Sequence, residues 1–312
     1  MDWLLALIQA VLFMLLAPLF SGWLKWVKCL LQNRRPPPLW QPYRDLRKLF
    51  GKRPVVAETA SWLFPVTPYV VFCAAALSGA IVPFFAVDLP TAAIADMIVL
   101  VGFFALGRFF LALAGMDVGT AFGGMGSSRE MTIASLAEPA MLMATFTLAL
   151  TASTTNISVA IDYLLDTGLA LRPSFLFALG GLLLVAVAET GRIPIDNPAT
   201  HLELTMIHEA MILEYSGRHL ALIEWAGQIR LMLYGVLIAN IFLPWGLARE
   251  FTPEALGIGA AAIAAKLGVL AIVLALAETS VAKMRLFRVQ EFLGFAYLLS
   301  LLGMLSHIIL EV

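Results

Sequence analysis

The sequence predicts an all-α, polytopic membrane protein with about eight transmembrane helices. Three observations lead there. Of its 312 residues, 61% are hydrophobic and 13% charged, against roughly 45–50% and about 25% in an average soluble domain. Mean hydropathy is +0.91. The apolar residues gather in segments close to the ~20 residues a helix needs to cross a hydrocarbon core. These figures exclude a soluble enzyme and a disordered chain. A net charge of −1 leaves no basic surplus for a polyanion, so nucleic acid is excluded as a partner. Cys29 and Cys73 lie far apart, which excludes an iron–sulfur cluster held by this chain and a disulfide scaffold.

Eight spans are read at approximately 3–24, 65–86, 93–115, 131–152, 174–190, 225–247, 255–279 and 290–311, within a single transmembrane domain covering 1–312. The first is apolar from Trp3, without a basic n-region or an A-x-A site, and reads as a retained helix rather than a signal peptide. The fifth is the shortest, a clean run from Ser174 to Ala188 that ends at Glu189. Two loops are long, 25–64 and 191–224. Fifteen Lys and Arg residues lie in loops on the long-loop side and two, Arg172 and Arg249, on the other. This asymmetry predicts both long loops in the cytoplasm and both termini outside, which requires an even number of spans.

Between the spans, three segments carry local signals. Pro36-Pro37-Pro38 predicts a stiff, extended stretch. After it, Tyr43, Leu46 and Phe50 line one face of a short amphipathic helix with cations opposite. That helix suits the headgroup layer of the membrane, and equally a platform for a partner subunit. The glycine-rich segment 115–130 holds Gly119, Gly123, Gly124 and Gly126. No strand precedes it and no G-K-[ST] ends it, so it is not a phosphate loop. It reads as a flexible, closely packed turn, with Ser127-Ser128-Arg129-Glu130 capping the fourth span and Glu130 near the helix start.

Ionisable residues inside the spans carry the functional signal. An ionisable side chain at the bilayer centre costs at least about 2.5–3.5 kcal/mol, so it faces protein, pairs, or touches water. Arg108, Glu138, Glu189, Lys266 and Glu278 are such residues. Asp96 and Arg230 sit near predicted span ends, where they can snorkel. The competing roles are structural ion pairs and a proton relay, because desolvated carboxyls hold protons to higher pH. In the second long loop, Pro194 and Pro198 break helix, and Asp196-Asn197 signals a new start with 199–213 as a candidate helix. His201 and His208 are seven residues apart and do not form H-E-x-x-H, so no metal site is predicted. Glu189, Asp196, Glu203, Glu209, Glu214 and Glu224 concentrate negative charge there among apolar residues such as Met206, Ile207 and Met211, which suggests a buried or partner-covered loop.

On its motifs, the chain resembles the subunit 1 family of respiratory complex I, the H-type membrane subunit of the bacterial enzyme. It is more similar still to the homologous membrane subunit of energy-converting [NiFe]-hydrogenases, the hydrogenase-4 component C and formate hydrogenlyase subunit 4 type. The motifs are Asn33-Arg34-Arg35, Gln41-Pro42-Tyr43-Arg44-Asp45-Leu46, Arg108-Phe109-Phe110, Gly115-Met116-Asp117-Val118-Gly119, Gly126-Ser127-Ser128-Arg129-Glu130, Glu138-Pro139, Glu189-x-Gly191-Arg192-Ile193-Pro194-Ile195-Asp196, Glu214-Tyr215-Ser216-Gly217 and Glu278. They run along essentially the whole chain. The resemblance implies a heel subunit in the cytoplasmic (inner) membrane, itself without a bound cofactor or redox centre. Its partners would be a [NiFe]-hydrogenase-like large subunit, an iron–sulfur small subunit and antiporter-like membrane subunits. It implies a relay through Glu130, Glu138, Glu189, Asp196, Glu203, Glu209, Glu214 and Glu278, with Arg108 and Lys266 as further candidate members, and docking through Arg34, Arg35, Tyr43, Arg44 and Asp45. In complex I members the loops also help form a quinone chamber. Here the family's acid-rich stretch reads Pro194-Ile195-Asp196-Asn197-Pro198-Ala199-Thr200-His201-Leu202-Glu203-Leu204, and its Gly-Pro-Gly reads Pro36-Pro37-Pro38. Both departures weigh against quinone and toward a hydrogenase-type complex. The alternatives are a membrane component of complex I itself, a free-standing secondary transporter and a passive membrane anchor.

Overall fold

The computed structural model describes residues 2–87, 89–167, 172–196, 206–282, 284 and 286–311. All its regular elements are helices: α1 (Asp2–Leu31), α2 (Gln41–Phe50), α3 (Leu63–Ile81), α4 (Met97–Asp117), α5 (Ala121–Ala152), α6 (Ile157–Thr167), α7 (Pro173–Glu189), α8 (His208–Ile212), α9 (Gly217–Phe242), α10 (Pro253–Ser280) and α11 (Leu286–Ser306), with a 3₁₀ turn at Pro90–Ile94. Among the described residues, seven helices are long and apolar enough to cross a membrane: α1, α3, α4, α5, α9, α10 and α11. The fifth predicted span is α7, an apolar helix of 17 residues. At 1.5 Å per residue it reaches about 26 Å, near the short limit for a span. The chain is therefore a multi-pass membrane protein.

Helix α9 is the axis of the bundle. It packs on α1, α3, α7 and α10, while α5 packs on α4, α7 and α11. Of the spans, α9 is the most enclosed, with 72% of its core window buried, and α10 the least, with 22%.

Several boundaries differ from the sequence reading. Helix α1 runs on to Leu31, so Lys25 and Lys28 ride its last turns instead of starting a loop. Lysine is a good helix former, and Lys28 gains a carboxylate partner there. Helix α9 begins at Gly217 rather than 225 and ends at Phe242 rather than 247. In the part of the second loop before α9, helix covers only His208–Ile212 among the described residues, while the predicted start after Asp196 lies outside them. Helix α6 and the 3₁₀ turn have no counterpart in the hydropathy pattern. Both lie at the bundle end opposite α2 and α8, tied to each other by the Ile157 N–H donating to the Ala95 carbonyl at 2.7 Å.

The glycine-rich segment is the largest correction. It is helix from Ala121 onward, with Thr120 as N-cap, its Oγ1 accepting from the Gly123 N–H. Glu130 is thus the tenth residue of α5 rather than part of a cap near its start, and Ser127 donates to the Ala112 carbonyl at 2.8 Å instead of capping. Glycine normally weakens a helix. Here its missing Cβ is required, since a Cβ on Gly123 would lie 2.1 Å from the Gly115 carbonyl oxygen, and one on Gly126 2.9 Å from Ala210 Cβ. The glycines bring α4, α5 and α8 together, which sets the depth of the acids that follow.

A contrast between two neighbouring glycines tests this packing. Gly123→Val should lose about 1–3 kcal/mol or more through overpacking and give poor recovery of monodisperse protein from detergent. Gly124, where a Cβ would meet nothing within 4 Å, should accept alanine with unchanged or slightly higher thermal stability.

Candidate functional site: a buried arginine ringed by carboxylates

Arg108 sits midway along α4, with 3% of its side chain exposed. Its guanidinium meets carboxylates from two other helices. Nη2 donates to Oε2 of Glu189, the last residue of α7. Nη1 lies 3.2 Å from Oε1 of Glu138, and Nε 3.7 Å from Oε1 of Glu130, both on α5. Nη1 and Nε approach as ion pairs without hydrogen-bond geometry. One cation therefore holds α4, α5 and α7 together while facing three acids. Glu189 is as enclosed as Arg108, but the Glu138 side chain is 35% exposed and lines a cleft between α4 and α5. Glu138 is the open end of the cluster.

A second cation lies deeper than the sequence predicts. The predicted spans put Arg230 near a span end, but α9 starts eight residues earlier than expected. Arg230 therefore falls at the middle of the most enclosed helix and is buried. Its guanidinium lies over Gly107, next to Arg108. It acts electrostatically on Glu130, Glu189 and His208. The signal that reveals it is the helix start at Ser216-Gly217, hidden within the acidic loop.

Beyond Arg230 the acids reach the loop side. Asp196 is buried and accepts the Ile207 and His208 N–H groups at 3.1 and 3.2 Å, pinning the loop after α7 to α8. Burial, with help from Arg230, lowers the His208 pKa and favours a neutral ring at physiological pH. His208 and Glu209 border a polar cavity of about 350 Å³, also lined by Lys25, Lys28, Arg192, Glu224 and Glu278. Burial raises the Glu209 pKa from 4.5 to about 7, with Glu224 and Asp196 adding repulsion and Lys25 opposing it. Glu278 is buried between Lys28 Nζ at 2.6 Å and Arg192 Nη1 at 3.0 Å, which ties α10 to α1 and to the loop. The structure therefore joins Arg108, Glu130, Glu138 and Glu189 in one cluster, and Asp196, Glu209 and Glu278 around the cavity beside it.

Two candidates stand apart. Glu214 is exposed and makes no ion pair among the described residues, whereas its neighbour Tyr215 is buried, stacked on Phe64 and donating to that residue's carbonyl at 2.9 Å. Lys266 is half-buried on α10 with no carboxylate in ion-pair range among the described residues. Glu203 and His201 lie outside the described residues. Of the docking candidates, Arg34, Arg35, Arg44 and Asp45 are exposed. Tyr43 is partly buried and donates to the Leu15 carbonyl. The buried side of α2 is Pro42 and Leu46, against α1 and α9, which leaves Arg44, Asp45, Arg47 and Lys48 as an outward charged face.

Comparison with known proteins places this architecture. The sequence model of the NADH dehydrogenase family matches residues 4–309. Formate hydrogenlyase subunit 4 of Escherichia coli is 33% identical over 280 residues, 90% of each chain. Hydrogenase-4 component C of the same organism is 32% identical over 293 residues, 93% of this chain and 92% of the relative. The H-type subunit of NADH-quinone oxidoreductase from Thermomicrobium roseum is 28% identical over 224 residues, 66% of this chain and 64% of the relative. A chain of the membrane-bound sulfane sulfur reductase, an archaeal respiratory membrane complex, shares the fold at a TM-score of 0.80 and 18% identity, covering 97% of this chain and 98% of its own. With a family match over nearly its whole length and relatives above 30% identity across nine-tenths of it, the chain belongs to the NADH dehydrogenase family, as a relative of the formate hydrogenlyase and hydrogenase-4 membrane subunits.

Proposed function

We propose that this chain is the membrane heel subunit of a redox-driven, proton-translocating complex of the hydrogenase-4 or formate hydrogenlyase type. The observation that carries the reading is the Arg108 cluster, one guanidinium facing Glu130, Glu138 and Glu189. A purely structural pair needs one acid. Three acids on one arginine, with Arg230 close by, form a group whose charge changes with each proton gained or lost. Its two ends differ in a way that suits transfer. Thr190, next in the chain to Glu189, lines the polar cavity bounded by Glu209 and Glu278, and Glu138 opens at the α4–α5 cleft. Protons would enter on the loop side, where Glu214 is exposed to water, and leave through Glu138 toward a neighbouring membrane subunit.

In this reading a hydrogenase-like large subunit and an iron–sulfur small subunit cover the loop side and carry the redox centres. Antiporter-like subunits lie in the membrane, which is the cytoplasmic membrane, with both termini outside. The charged face of α2, with Arg34, Arg35, Arg44 and Asp45, docks the soluble arm. Redox events next door move the loop pinned by Asp196 and Arg192 and so alter the electrostatics of the cavity acids. The complex I reading, with a quinone at the cytoplasmic face, has less support, since that relative matches two thirds of the chain at lower identity.

Two experiments test the proposal. In the complex purified through this chain and reconstituted in vesicles, Glu189→Gln should preserve subunit composition and lower coupled proton translocation or turnover by at least about tenfold, equivalent to ~1.4 kcal/mol. Unchanged translocation would overturn the relay. The second concerns Glu209, which keeps its proton to about pH 7 when folded and to 4.5 at its ordinary value. The folded state binds more protons between these values, so stability falls as pH rises through that window and levels off above it. Thermal unfolding of the complex across this range should show the slope, and Glu209→Gln should flatten it.

A further inference from the structure

Lys266 is a charge in the membrane with no carboxylate in ion-pair range among the described residues of its own chain. It follows Pro253 by 13 residues and precedes Ser280 by 14, close to the centre of α10. At 1.5 Å per residue each half of the helix is about 20 Å long, too far for a four-carbon stem to bring its ammonium to the headgroups. Of the buried charges of the spans, Arg108 meets three glutamates and Glu278 meets Lys28 and Arg192, while Arg230, without an ion pair among the described residues, lies inside the bundle on its most enclosed helix. A lone ammonium at this depth is unfavourable in lipid and is expected to pair.

The helix that carries it has room for a partner. Helix α10 packs on α1 and α9 at one edge of the bundle and is the least enclosed of the spans. Its outer side exposes Ile258, Val269, Ile272 and Leu276, with Gly257, Ala261 and Ala265 at four-residue intervals among them. Small residues at that spacing let a second helix approach closely, and Lys266 flanks the shallow track they leave.

We propose that this face of α10 docks a membrane helix of another subunit, and that a carboxylate on that helix pairs with Lys266. A second copy of this chain does not fit, because a two-fold contact along α10 would set Lys266 against its own counterpart. The inference rests on the chain being a subunit of a membrane complex, and is independent of the relay through Arg108.

The complex purified through this chain tests it, with a photoreactive p-benzoylphenylalanine replacing the exposed Val269. Illumination should crosslink the chain to one integral membrane subunit. Adding Lys266→Met should lower that crosslink about tenfold, the loss expected from an interhelical polar pair of 1–2 kcal/mol, and Lys266→Arg should keep it within about twofold. Crosslinks to lipid only, to a second copy of this chain, or at equal yield in Lys266→Met would overturn the proposal. The Glu189→Gln complex should give the wild-type crosslink, so failure of the relay and failure of this interface read out separately.

Discussion

The structure depends on the solvation of one guanidinium. Arg108 is withdrawn from both water and lipid, and a charge in that position persists only if protein groups replace its hydration. Glu130, Glu138 and Glu189 do so from α5 and α7. Their positions require α4, α5 and α7 to meet at one depth. The close contacts of Gly115, Gly123 and Gly126 meet that requirement, because a side chain at these points would push α5 away from α4 and α8. The packing of small residues and the clustering of charge are therefore one constraint seen from two sides.

From this cluster the electrostatics run outward by short steps. Arg230 on the central helix acts electrostatically on Glu130 and Glu189 and also on His208 at the start of α8. Asp196 holds α8 against the end of α7 through two backbone hydrogen bonds. Lys28 and Arg192 clamp Glu278, so α1, α10 and the loop after α7 share a second ionic junction at the rim of the cavity. A shift of that loop would disturb both junctions together. The proposed coupling to a covering subunit would run through these junctions.

The outer face of the bundle is uneven. The far end is held by Arg249 with Asp162 at 2.8 Å and Asp166 at 2.7 Å, an exposed set whose contribution is modest. The opposite end carries the basic face of α2, the cavity and the acidic loop. The sides offer two places where ionisable groups come near the lipid boundary, Glu138 at the α4–α5 cleft and Lys266 on α10. Both are unfavourable in lipid and favourable against protein, which fits a chain built to be surrounded.

Much of this is legible in the residues alone. Hydropathy marks the eight apolar segments, and the cost of charge in a bilayer singles out Arg108, Glu138, Glu189 and Glu278 without any knowledge of the fold, because both signals are local and strong. Sequence also marks α2, whose apolar face recurs at helical spacing. The start of α5 is not legible. Glycine counts against helix in a local reading, and only the neighbouring α4 and α8 make it the residue that helix requires. The same limit hides Arg230, whose depth depends on where α9 begins, and α9 begins inside a loop whose charges mask the signal. The grouping of the acids belongs to tertiary structure as well. Glu130, Glu138 and Glu189 come from two helices, and nothing in their spacing shows that they converge on one arginine while Lys266 finds no such acid among the described residues. Local chemistry determines which residues are too polar for lipid, but helix packing decides which of them meet.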